Sequence, residues 1–209
     1  MHTKVEYHIP IRLPQLYLVW RAIIDVVFGL GGLILMLCAL PLLAMLIYLD
    51  SPGPIFYTQE RIGYQGQKFT VYKFRSMTTR AEQKGRAIWA VKNDPRVTRI
   101  GRFLRASHLD ELPQVLNILR GEMRLIGPRP ERPEYAAELE TINPIYRQRL
   151  SVKPGLTGWA QVNYGYGSTS KDELEKLEYD LYYIQHQSLL LDIRIILKTV
   201  REVVLCHGV

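Results

Sequence analysis

Two adjacent carboxylates, Asp110 and Glu111, stand in the run Arg105-Ala106-Ser107-His108-Leu109-Asp110-Glu111-Leu112-Pro113-Gln114. A carboxylate can attack phosphorus or carbon, and it can also move a proton. Arg105 precedes the pair, and Gly127-Pro128-Arg129-Pro130 follows it. In that segment two prolines fix the backbone on either side of one guanidinium, leaving it little entropy to lose. It reads equally as a planar phosphate clamp or as a stiff surface turn. Acids close to arginines point to chemistry on a phosphate. Acids in the first turn of a helix are also routinely caps, so the pair alone decides nothing.

Local structure must place the pair. Leu109, Leu112, Leu116 and Leu119 recur at helical spacing. Pro113 is tolerated only in a first turn, so the helix is predicted to start near Leu109 or Asp110. Both acids then sit at a helix N-terminus, where the dipole is expected to keep a carboxylate ionised. Upstream, residues 55–77 read as a hairpin with its turn at Gly63-Tyr64-Gln65-Gly66-Gln67. Alternation puts Phe69, Val71, Lys73 and Arg75 on one face of its second strand. Lys73 and Arg75 are then either solvent-facing charges or a cationic wall for phosphate. Ile100, Phe103 and Leu104 predict a helix that brings Arg102 and Arg105 forward. Residues 154–163 (PGLTGWAQVN) read as a tight turn into a short strand, with Gln161 and Asn163 facing a site. Residues 171–186 and 190–205 read as helices, the second packing on the core or lying on a membrane. Residues 78–92 read as a polar loop or short helix.

One segment is of another kind. Residues 22–49 are almost wholly apolar, and ~28 residues make ~42 Å of helix against the ~30 Å of a bilayer core. Pro41 removes a backbone donor inside it, and Asp25 lies near its start beside Arg21. Lys4, Arg12 and Arg21 precede the segment, and Arg61, Lys68, Lys73 and Arg75 follow it. The positive-inside rule then assigns both flanks to the cytoplasm. A helix that enters, breaks at Pro41 and returns satisfies the charges; a straight crossing with a proline kink is the commoner alternative. Three domains are expected: a short cytoplasmic segment (1–20), a re-entrant helix (21–50) and a catalytic domain at the membrane interface (51–209).

Composition narrows the classes. The net charge is +7, with 47% hydrophobic and 22% charged residues. Acids and bases cancel over residues 1–50, so the excess lies in the following domain, where it favours anionic lipids and substrates. Its cations are dispersed, which speaks against a nucleic-acid partner. Cys38 and Cys206 form no metal-binding spacing and suit a reducing compartment. No P-loop, dinucleotide fingerprint, Asp-x-Asp pair or nucleophile elbow occurs.

Taken together, the motifs resemble those of the bacterial sugar transferases known as small monotopic phosphoglycosyl transferases. The likeness runs from about Arg21 to about Leu205. It rests on Arg21 to Asp25 opening the membrane helix, Ser51-Pro52-Gly53-Pro54-Ile55-Phe56, Tyr72-Lys73-Phe74-Arg75-Ser76-Met77, Leu109 to Gln114, Gly121-Glu122-Met123, Gly127 to Pro130, and Pro154 to Asn163, in that order. The resemblance implies an α+β fold, α-rich with a small sheet, on a re-entrant helix at the cytoplasmic face of the bacterial inner membrane. It implies transfer of a sugar-1-phosphate from a UDP-sugar to polyprenyl (undecaprenyl) phosphate, releasing UMP and opening exopolysaccharide assembly. Downstream glycosyltransferases and membrane lipids are the further partners. By that pattern Asp110 is the nucleophile and a ligand of Mg2+, and Glu111 assists the polyprenyl phosphate by accepting its proton. Arg105, Arg129 and Lys73 match phosphate-contacting motifs. Glucose-1-phosphate is the favoured cargo and galactose-1-phosphate the runner-up. Leu40-Pro41 stands where many members have Ser-Pro, and His108 and Arg124 replace common serines. Longer relatives carry an N-terminal transmembrane block, so this sequence looks like a stand-alone catalytic unit. The rival reading is a membrane-anchored hydrolase of nucleotide-sugars or lipid diphosphates that uses the same acids.

Overall fold

The structure, a computed structural model, describes residues 13–79, 81, 94–164 and 169–205. The polar stretch after residue 81 therefore lies mostly outside the described residues, as do Cys206 and residues 165–168.

Helix α1 (Gln15–Asp50) is 36 residues long, or ~54 Å, and runs as helix through Pro41. The break expected there is absent. Loss of one backbone donor at Pro41 leaves the hydrogen bonds on either side able to carry the helix on. It is the one helix among the described residues that is long and apolar enough to cross a membrane. Its buried positions are Tyr17, Arg21, Gly29, Met36, Leu43 and Ile47. Steps of four, seven and eight residues place them on a single stripe along the whole length. Leu16, Ile23, Val27, Leu30, Ile34, Leu37, Leu42 and Leu49 are exposed on the rest.

That stripe lies on the remainder of the chain. Met36, Leu43 and Ile47 share a core with Phe74, Leu104 and Val115. Gly29 and Gly32 let α1 approach the helix over Val115–Leu119 closely, since a Cβ at Gly29 would press into Leu119 and one at Gly32 into Val115. At the end of α1, Asp50 accepts from the Ile100 amide at the start of α2 (Arg99–Ala106).

The expected hairpin is present. Strand β1 (Phe56–Ile62) pairs antiparallel with β2 (Lys68–Phe74), with Tyr57 opposite Lys73. A 3-10 helix over Leu109–Gln114 leads into α3 (Val115–Leu119). The predicted start is correct and the helix type is not: Pro113 and the left-handed His108 (φ 56°) wind this turn tighter than an α-helix. Two three-residue strands, β3 (Arg124–Ile126) and β4 (Gly155–Thr157), form a parallel pair. Between them lie α4 (Pro133–Ile142) and a 3-10 helix over Pro144–Ser151. The chain closes with α5 (Ser170–Gln185) and α6 (Leu189–Val204), capped by Thr169 and Ser188 side chains. The fold is thus helix-rich with small sheets, as the sequence implies.

Candidate active site

The two acids occupy the first turn of the 3-10 helix and differ sharply in environment. Glu111 is held by two cations. Lys73 donates to its Oε1 at 2.6 Å, and Arg129 bonds both oxygens, at 2.5 and 3.2 Å. Burial alone would raise the Glu111 pKa, but Arg129 and Lys73 hold it well below the ordinary carboxylate range. Asp110 is only 7% exposed and makes no hydrogen bond or ion pair with any described residue. Burial first, and the charge of Glu111 second, push its pKa up to about 6; Lys73, Arg105 and Arg129 oppose this. In so short a helix, burial and the neighbouring acid outweigh the dipole, and a carboxyl titrating at about 6 is still ionised at neutral pH.

Each cation has its own mounting. Lys73 comes from β2, which Asn117 stitches to α3. The Asn117 side chain accepts from the Tyr72 amide and donates to the Thr70 carbonyl. Burial lowers the Lys73 pKa, against the pull of Glu111. Arg105, from α2, donates to Ser76 and acts electrostatically on Asp110. Arg129 is the exposed member of its segment, with Pro128 and Pro130 buried on either side, so the guanidinium is presented as expected. Its carbonyl accepts from Arg149, and the Pro130 carbonyl accepts from Arg61. Arg149 in turn pairs with buried Asp180 at 2.7 Å. The Arg149–Asp180 and Arg61–Glu131 pairs escaped sequence reading, because no motif links partners 31 and 70 residues apart.

Three expected site residues lie elsewhere. Arg75 is buried and donates to the carbonyls of Ser51 and Pro52, where it caps the end of α1. Strand alternation ends at Phe74, so Lys73 and Arg75 do not share a cationic wall. Gln161 donates to the Leu156 carbonyl. Asn163 donates to the Trp159 carbonyl and accepts from Lys198 on α6. These bonds brace their own turn, and neither amide hydrogen-bonds to Asp110, Glu111, Lys73 or Arg129. The glycines of the same motif serve the site indirectly. A Cβ on Gly155 or Gly158 would overlap the backbone of Gly127, so their bareness lets the Arg129 loop sit down on β4.

A bare, buried carboxylate beside three cations is chemically suited to attack an anionic substrate. The family model for bacterial sugar transferases matches residues 16–206. The chain belongs to that family. It is similar to the UDP-N-acetylgalactosamine-undecaprenyl-phosphate N-acetylgalactosaminephosphotransferase of Aeromonas hydrophila, at 46% identity over 79% of this chain and 39% of that protein. It is similar to the UDP-glucose:undecaprenyl-phosphate glucose-1-phosphate transferase of Escherichia coli, at 42% identity over 84% of this chain and 38% of that protein. It also matches the exopolysaccharide production protein PSS of Rhizobium leguminosarum, at 40% identity over 88% of this chain and 94% of that protein. The chain thus spans under two fifths of the first two relatives.

Proposed function

We propose that the protein transfers a sugar-1-phosphate from a UDP-sugar to polyprenyl phosphate in two steps through Asp110. The observation that carries this is the asymmetry of the acids: Glu111 is saturated by Lys73 and Arg129, whereas both oxygens of Asp110 are unengaged. In the first step an Asp110 oxygen attacks the phosphorus that bears the sugar. The bond from that phosphorus to the bridging oxygen breaks, and UMP leaves. In the second, a polyprenyl phosphate oxygen attacks the same phosphorus and Asp110 departs. Splitting the transfer lets a water-soluble donor leave before a lipid acceptor arrives.

Charge sets the other roles. Arg129, Lys73 and Arg105 stabilise the anionic transition state. With both ion pairs intact Glu111 is a weak proton acceptor. When its cations turn to substrate phosphate its basicity rises, and it can take the acceptor's proton. The residues also fit Mg2+, which commonly takes one or two carboxylates plus substrate phosphates. Asp110 would hold it, and the ion would offset charge on the diphosphate.

A monotopic arrangement on the cytoplasmic face of the inner membrane goes with this reading. What supports it is the seating of α1. Buried contacts run from Tyr17 to Ile47 against one domain, so both ends of the helix stay beside that domain. Glucose-1-phosphate is the favoured cargo. N-acetylgalactosamine-1-phosphate is the second candidate, because the relatives' names divide between these sugars.

The test is UMP release by the protein in nanodiscs, with undecaprenyl phosphate and a panel of UDP-sugars. Release that requires the lipid supports the transferase. Equal release without it indicates a hydrolase.

A further inference from the structure

Arg21 and Asp25 lie one turn apart on α1 and so face the same way. The sequence shows them only as two charges at the start of an apolar segment. The structure instead applies both to the backbone of β3. Asp25 Oδ1 accepts from the Leu125 amide at 2.8 Å, and Arg21 Nη2 donates to the Ile126 carbonyl at 2.6 Å. Among the described residues β3 has a strand neighbour on one side only, β4. One acceptor and one donor from the helix therefore supply partners that a second strand would have given. Such partners matter, because a buried amide or carbonyl without one is costly.

The clasp is itself held firmly. Arg21 is 5% exposed and also donates to Gln187 at 2.6 Å. Arg124, the first residue of β3, approaches the second oxygen of Asp25 at 3.7 Å. Tyr17, one turn earlier, donates to Asp192 on α6 at 2.9 Å. This end of α1 is thus a polar joint set in an otherwise apolar helix, and it carries more hydrogen bonding than anchorage in lipid requires.

What β3 leads into gives the joint its meaning. Gly127, Pro128 and Arg129 follow Ile126 directly. On the far side, Gly127 donates to the Thr157 carbonyl of β4. The stem of the Arg129 loop is therefore gripped between α1 and β4, and its end by Arg61 and Arg149. We propose that Asp25 and Arg21 are positioning residues: the membrane helix sets the seat of the Arg129 loop, so the grip on the donor phosphate depends on α1 being docked. A shift of about 1 Å at the clasp is enough to misplace a phosphate ligand. The proposal rests on the reading of Arg129 as a phosphate ligand.

The test uses the full chain in nanodiscs, with whichever of UDP-glucose and UDP-N-acetylgalactosamine releases UMP. Asp25→Ala, Asp25→Asn, Arg129→Ala and the Asp25→Ala/Arg129→Ala double variant are compared. Asp25→Ala should lower kcat/KM for the donor about tenfold, mainly through KM. Asp25→Asn, whose amide oxygen still accepts from Leu125, should stay within about threefold of wild type. The double variant should be no worse than Arg129→Ala alone, because a residue acting through Arg129 has nothing left to act on. Losses that multiply would overturn the proposal.

Hydrogen exchange without substrate provides the second readout. Exchange at the Gly127 amide, which donates to the Thr157 carbonyl, should speed up about tenfold or more in Asp25→Ala, and unchanged exchange would overturn the clasp. If exchange speeds up while Arg129→Ala keeps wild-type kinetics, the clasp stands and the phosphate role of Arg129 falls. If Asp25→Ala does not fold, Asp25→Asn decides: an amide variant losing as much donor efficiency as Arg129→Ala would show that charge, not the hydrogen bond to β3, is what matters, against the proposal.

Discussion

Asp110→Asn should abolish transfer and, at the same time, stabilise the protein. Asp110 is 7% exposed and bare of partners, and burial together with Glu111 raises its pKa from 3.8 to about 6. A rise of that size corresponds to ~3 kcal/mol. The sign follows from the proton count. Between pH 3.8 and about 6 the folded protein still holds a proton that the unfolded chain has released. Native stability therefore falls as pH rises through that window, and the full cost is present above it. An amide has the same shape and no charge to desolvate, so the variant escapes the cost. For a chain of this length ~3 kcal/mol corresponds to ~6–12 °C in Tm. The assay is thermal unfolding followed by tryptophan fluorescence, with divalent ions chelated. The variant should melt higher than wild type at pH 7.5, and the gap should close by about pH 4, near the ordinary carboxylate pKa. A variant that melts lower at pH 7.5, or a gap that does not change with pH, would refute the reasoning.

Three further outcomes are expected. Arg75→Met should cost ~1–3 kcal/mol of stability through the lost α1 cap and leave the donor KM unchanged; a raised KM at full stability would return Arg75 to the phosphate site. Gly155→Ala should push the Arg129 loop off β4, costing ~1–3 kcal/mol by overpacking and weakening donor use; wild-type melting and kinetics would show that the loop has slack. With Cys38 and Cys206 replaced by serine, cysteines placed at Thr3 and Glu60 should both react from the cytoplasmic face of oriented vesicles; labelling from opposite faces would establish a crossing helix.

How far the sequence foretold this site depends on the range of the interactions involved. Local signals were legible. The hairpin turn at Gly63–Gln67, the helix start at Leu109 and the exposure of Arg129 between two prolines all follow from backbone constraints a few residues long. The last two helices begin within a residue of their expected places, because Ser188 and the Thr169–Asp172 capping box mark their starts. Long-range pairing was not legible. Nothing around Arg75 shows that its donors turn back to Ser51 and Pro52. The pairing of Arg149 with Asp180 leaves no periodic trace. Gln161 and Asn163 were misplaced because an amide in a glycine-rich turn serves local bracing as readily as a ligand. The raised pKa of Asp110 was not legible, because a dipole can be read from sequence, whereas burial cannot.

The central claim is that Asp110 itself carries the sugar phosphate between donor and acceptor. Incubating the protein with the donor UDP-sugar alone, without polyprenyl phosphate, then quenching and digesting it, tests this directly by mass spectrometry. One sugar-phosphate adduct is expected, on the peptide that holds Asp110, absent from Asp110→Asn and discharged when polyprenyl phosphate is added. Turnover to the lipid product with no adduct on that peptide would contradict it.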